Sequence, residues 1–143
     1  MPPALRHLAL IALTLAVGAD VHADMVVVGA ARNNLAQLSR EEAVNIWLGR
    51  YRRLPGGQAA LPIDLPSGSE ERNRFYRLLV GKEPAEINAY WTRLVFSGKT
   101  RPPYQARNLD EVWSLLAREP GAVAYLDRAM TDARMKILLE LER

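Results

Sequence analysis

Leu61–Phe75 reads LPIDLPSGSEERNRF, and the fold turns on how this stretch is parsed. Leu61, Ile63 and Leu65 alternate with Pro62 and Asp64, which is the period of a short strand. Pro62 has no N–H to give to a ladder, so the strand is expected near a sheet edge. Pro66, Ser67 and Gly68 break the run. Ser69 then stands as a helix N-cap, with Glu70 and Glu71 in the first turn, where carboxylates meet the positive end of the helix dipole. The first amides of a helix have no intrahelical acceptor, so a strand that turns into a helix offers N–H groups to an anion. A capped helix with no ligand satisfies the same residues.

Upstream, Met25–Ala30 (MVVVGA) is a continuous apolar run, the pattern of a strand buried on both faces in a parallel sheet covered by helices. Ser39 and Glu42 form a capping box, Ala43, Ile46 and Trp47 recur at helical spacing, and Gly49 stops the helix. Pro55-Gly56-Gly57 is a turn. Downstream, the helix capped by Ser69 carries Phe75, Leu78 and Leu79 inward and ends at Gly81. Pro84 opens another, with Ile87, Trp91, Leu94 and Val95 as its stripe. Lys99 to Pro103 is a Pro-rich loop. Asn108 or Asp110 caps a fourth helix carrying Val112, Leu115 and Leu116, and strands follow at Ala122–Leu126 and Met135–Leu141. Four strands alternating with four helices predict an α/β domain, a small mixed β-sheet flanked by helices.

Residues 1–23 have a different character. Arg6 and His7 precede an apolar run, Leu8 to Val17, and Val21-His22-Ala23 places small residues where a signal peptidase cuts. The run is too short to span a bilayer, so we expect a cleaved secretory signal, a domain of residues 24–143, a periplasmic location and no stable membrane insertion. Both histidines, His7 and His22, fall in the signal, and the chain has no Cys. The domain therefore lacks the common Zn and Cu ligand sets, the Ser–His and Cys–His nucleophile pairs and any disulfide. Neither a metal nor another cofactor is expected. The net charge of +3 is modest. Arg50-Tyr51-Arg52-Arg53 reads as a solvated loop, and no nucleic-acid partner is assigned. Ser97-Gly98-Lys99-Thr100 ends like a P-loop, but Arg93 stands where the first glycine is required. Trp47, Trp91 and Trp113 each lie on an apolar stripe and are placed in the core. Asp64 with Glu70 or Glu71 would be a carboxylate pair, yet one small lobe seldom encloses the cleft that hydrolysis needs. No residue is assigned a catalytic role.

Taken together, Ser39-Arg40-Glu41-Glu42, Ile46-Trp47-Leu48-Gly49, Leu61-Pro62-Ile63-Asp64, Gly68-Ser69 with Phe75, Tyr90-Trp91, Phe96-Ser97-Gly98, Pro102-Pro103 and Pro120-Gly121-Ala122-Val123-Ala124-Tyr125 resemble a known family. It is the phosphate-binding-protein-like family of periplasmic substrate-binding proteins related to ABC transporters, in a short, single-lobe form. The resemblance implies a non-catalytic domain built like one lobe of a type II periplasmic binding protein. Long members close two lobes on an oxyanion. Here the crossing strand and second lobe are matched, and the first lobe has no counterpart. The second lobe of long members holds phosphate with a strand arginine and a Ser-Gly-Thr turn. Ser69 matches the serine and Gly68 the glycine before it, whereas Leu65 replaces the arginine and Glu70-Glu71 replace Gly-Thr.

Leucine supplies neither fork nor charge, and carboxylates near the site repel a dianion by about 1 kcal/mol at ~4 Å even in bulk water. Arg72 or Arg74 reaching back would restore that charge, but at their helix positions both are expected to face solvent. The candidate ligand-binding set is Asp64, Ser67, Gly68, Ser69, Glu70 and Lys99. In it the amides of Gly68 to Glu70 and the Ser69 hydroxyl hold a small anion such as phosphate, with Lys99 adding charge. A homodimer or a partner protein would supply the missing lobe. The alternative is a ligand-free accessory or protein-interaction module derived from one lobe.

Overall fold

The computed structural model describes residues 24–141. The expected signal segment therefore lies outside the described residues. Nine elements follow in the order β1 (Met25–Ala30), α1 (Arg40–Trp47), β2 (Leu61–Asp64), α2 (Glu70–Val80), α3 (Pro84–Ser97), β3 (Tyr104–Gln105), α4 (Leu109–Arg118), β4 (Ala122–Asp127) and β5 (Met135–Glu140), with a short 3-10 turn at Arg128–Met130. Local chemistry sets their limits. Ser39 and Glu42 close the capping box of α1, Ser69 accepts from the Arg72 amide to start α2, and Asn108 caps α4. Gly81 and Gly98 end α2 and α3 in the left-handed conformation that glycine adopts without a Cβ clash.

One mixed sheet runs β3-β2-β4-β1-β5. β2 is parallel to β3 and β4, while β1 is antiparallel to both β4 and β5. Pro62 is thus one strand in from the edge, beside a β3 of only two residues. β1 is buried along its whole length, as its composition requires, but its neighbours are not parallel to it. Helices cover both faces, and that cover, not strand direction, is what makes the strand uniformly apolar.

Side chains divide by the two-residue period of the strands. Val27, Val123 and Tyr125 face a core shared with Trp47, Phe75, Tyr76, Leu79, Ile87 and Trp91 from α1 to α3. Val26, Val28, Ala122, Ala124 and Ile63 face the smaller core under α4, with Val112, Leu115 and Leu116. Trp113 is partly buried beside that second core, with the Arg134 guanidinium 4.0 Å from its ring centre. Val95 departs from its expected place and is 53% exposed, because the stripe of α3 narrows to Ile87 and Trp91. β3 escapes a pattern-based reading because two residues carry no period.

Gly121 sits where the chain leaves α4 for β4, and a Cβ built on it would lie 1.7 Å from the Ala59 carbonyl oxygen. That oxygen belongs to the backbone and cannot swing aside. Gly121→Ala is expected to lower stability by about 1–3 kcal/mol or more in urea unfolding, whereas Gly56→Ala, with no neighbour within 4 Å, changes it by less than about 0.5 kcal/mol.

Candidate functional site

The C-terminal end of β2 carries Asp64, a buried carboxylate. Its Oδ2 accepts from Arg72 Nε at 3.1 Å and from the Tyr76 hydroxyl at 2.9 Å. Its Oδ1 accepts from the Tyr125 hydroxyl and from the Leu65 amide, the latter at 3.1 Å. Four donors therefore satisfy both oxygens, which is what keeps a charge tolerable away from water. Burial, then the Asp64 charge, drives the Tyr76 and Tyr125 hydroxyls far above the ordinary phenol range.

Arg72 does not face solvent as expected: its side chain is 7% exposed. It lies on the stripe Arg72, Phe75, Tyr76, Leu79, all buried and spaced by three or four residues. That spacing was available in the sequence, and it would have turned the arginine inward. Aromatic packing holds the arrangement. Phe75 stacks on Tyr125 with ring centres 3.7 Å apart, Trp47 meets Phe75 edge-on at 5.2 Å, and the Trp47 indole N–H donates to the Ile63 carbonyl at 3.2 Å.

The residues expected to form one site are distributed over three concavities. Asp64 and Ser67 line a cleft of about 640 Å³ between the β2–α2 turn and α3, together with Arg72, Asn88, Trp91 and Gln105. Ser69 and Glu70 line a second hollow on the other side of the turn, with Glu71, Arg74 and Arg107. Lys99 lines a third, beside Arg52 and Arg101. Gly68 is exposed at the apex of the turn with φ +85° and open space around its Cα. At the helix start the Ser69 amide donates to the Pro66 carbonyl at 3.0 Å and the Ser69 hydroxyl accepts from the Arg72 amide at 3.4 Å. Glu70 pairs with Arg77 at 2.9 Å on the exposed face.

The first cleft has a definite chemical character. Ser67, Arg72, Asn88 and Gln105 bring hydrogen-bond donors to it, the Thr92 hydroxyl already donates to the Asn88 carbonyl at 2.8 Å, and its one carboxylate, Asp64, is already saturated. The Trp91 indole N–H is buried and has no acceptor. Such a lining suits a ligand rich in acceptor oxygens. Among the described residues no group of three or more His, Cys, Asp or Glu could hold a metal ion, and no helix is long and apolar enough to cross a membrane.

No protein-family profile matches the sequence, and no curated protein does. Solved structures match the fold. An ABC-type phosphate transport receptor from Vibrio cholerae is similar over 80% of this chain and 45% of its own, with a TM-score of 0.63 and 15% identity. A Clostridium perfringens protein assigned as a phosphate ABC transporter substrate-binding protein, solved with bound phosphate, matches over 80% and 44%, with a TM-score of 0.63 and 13% identity. The fold is thus the α/β architecture of these receptors, and the chain spans less than half the length of either.

Two consequences of the Asp64 cluster can be measured. Asp64→Asn removes the charge that Arg72 needs and is expected to cost about 3–5 kcal/mol in urea unfolding. Because both hydroxyls have raised folded-state values, their contribution is complete below the unfolded tyrosine value near pH ~10 and is lost as pH rises above it. Unfolding free energy should then fall by up to about 2.7 kcal/mol per pH unit from these two groups. The Tyr76→Phe/Tyr125→Phe variant, weaker throughout, should show a shallower fall.

Proposed function

We propose that this chain is a non-catalytic, periplasmic solute-binding module that holds a small phosphate-like oxyanion in the cleft between the β2–α2 turn and α3. The observation that carries the reading is the donor-bearing lining: Arg72, Ser67, Asn88 and Gln105 lie around one hollow whose only acid is already fully bonded. The likeness of the fold to two phosphate-receptor structures supports it. In this reading Asp64 is the residue that orients the guanidinium of Arg72, and Ser67 is the hydroxyl donor of the turn. Ser69 caps the helix that brings Arg72 into place, Gly68 allows the turn, and Glu70 and Lys99 stand outside the cleft. The charge of Arg72 is balanced by its partner Asp64, so recognition rests on directed hydrogen bonds more than on net charge.

A second reading, a protein-interaction module, is favoured by one feature. Phe96 is 94% exposed at the rim of this same cleft, beside Val95 and Pro102. A single large exposed aromatic beside a hollow is a common anchor for another chain, here a second copy or a partner that would cover the cleft. Light scattering on the domain of residues 24–143 and on Phe96→Ser separates the readings: a dimer abolished by the substitution and indifferent to phosphate supports this one.

Titration calorimetry with phosphate and sulfate tests the first reading, with Ser67→Ala as the diagnostic variant. Losing the hydroxyl of an exposed turn residue should leave the melting temperature unchanged. Losing it in the bound state should weaken phosphate by roughly tenfold, about 1.5 kcal/mol. Absence of heat and of thermal shift at millimolar phosphate and sulfate would sink the reading.

A further inference from the structure

Apart from that cleft, the loop 49–53 and the loop 98–104 face each other across a groove of about 600 Å³. The two hollows share only Pro102 and Pro103. Arg52, Lys99 and Arg101 line the groove, and no carboxylate does. Among the described residues none of these three has an acidic partner within ion-pair distance. Elsewhere some arginines pair with acids, as in Arg77 with Glu70 and Arg134 with Asp132, and others, such as Arg40 and Arg53, donate to backbone carbonyls. Three uncompensated cations around one hollow raise its potential and concentrate anions.

The walls are tied together. Arg52 Nη2 donates to the Lys99 carbonyl at 3.0 Å, and the Thr100 hydroxyl donates to the Gly49 carbonyl at 3.2 Å. Gly49 has φ +75°, and a Cβ there would come within 2.8 Å of Thr100 Oγ1 and 2.9 Å of the Trp91 ring. Glycine is what lets the loops approach this closely. The two loops are therefore held in fixed relation, with the Arg52 guanidinium reaching across to the wall that carries Lys99 and Arg101.

We infer that this groove is a separate site for a ligand that bears two or more phosphate groups. A single monoanion leaves most of three cations unmatched. Donors that approach from two walls suit the tetrahedral oxygens of phosphate better than a planar carboxylate, and the guanidinium fork matches phosphate in particular. Tyr51 and Tyr104, 46% and 47% exposed on the lining, offer ring faces to whatever carries the phosphates.

Tripolyphosphate and orthophosphate, titrated into the domain at one ionic strength and followed by calorimetry, test the site. Tripolyphosphate should bind at least roughly tenfold tighter. The Lys99→Gln/Arg101→Gln variant changes only exposed loop side chains, so it should keep its melting temperature and lose that preference. Ser67→Ala, on the lining of the other hollow alone, should keep tripolyphosphate binding while weakening orthophosphate in the cleft, so failure here and failure of the phosphate cleft are told apart. Vesicles of neutral phospholipid with and without a phosphoinositide bisphosphate identify the source. Capture only by the second kind, lost in the double variant, assigns the phosphates to a lipid headgroup and also supports the site. Equal affinity for tripolyphosphate and orthophosphate together with no vesicle capture, or binding unaffected by the double substitution, overturns it.

Discussion

The structure depends on one buried charge. Asp64 ends β2, Arg72 and Tyr76 belong to the first turns of α2, and Tyr125 lies in the central strand β4. Their hydrogen bonds to one carboxylate join three elements that the chain separates by 61 residues. A buried ion pair of this kind contributes little net stability, because desolvating both partners offsets the attraction. What it contributes is geometry. Slipping α2 along the sheet by one residue would withdraw Arg72 or Tyr76 and leave the carboxylate unsatisfied, and that penalty is steep even though the intact pair gains little. The stacked Phe75 and Tyr125 rings supply the apolar burial that makes the arrangement affordable.

That constraint also decides where positive charge can be offered to a ligand. Position 65, on the strand, is leucine, and its amide is engaged by Asp64 and Tyr125. The guanidinium at the end of β2 comes instead from the helix, three residues past the cap. What matters for an anion is where a charge is held, and a helix that starts directly after the strand can bring one to the same end of the sheet. Glu70 and Glu71, which threaten an anion when the turn is viewed as a single site, lie along the hollow on the far side of the turn from Arg72's cleft.

Most of the fold was legible in the residues because its signals are local. Ser39 with Glu42, Ser69, Gly81, Pro84, Gly98 and Asn108 mark helix ends through bonds made within a few residues, and they stand where those residues place them. The parallel environment assigned to β1 was not legible, since a strand covered on both faces has the same composition whichever way its neighbours run. The site was less legible than the fold. Asp64, Ser67, Ser69, Glu70 and Lys99 are close in sequence or alike in chemistry, but the turn between β2 and α2 divides them among different surfaces. Arg72 could have been found from its three-residue spacing to Phe75. Trp91 and Gln105 could not, because their approach to Asp64 depends on how α3 and the short β3 pack, which no local pattern encodes.

The two hollows differ in the physics they offer. In the cleft the guanidinium is paired with a buried carboxylate, so the net charge is close to zero and any selectivity comes from donor positions. In the groove Arg52, Lys99 and Arg101 are exposed and unpaired, so attraction is long-ranged but weakened by salt over about 8 Å at physiological ionic strength. Raising salt should therefore separate binding at the two places. Affinity controlled by the groove falls steeply, whereas affinity controlled by Arg72, buried and already compensated by Asp64, changes little. The short tie from Thr100 to Gly49 keeps the two surfaces in fixed relation, because Trp91, which lines the cleft, packs against that glycine.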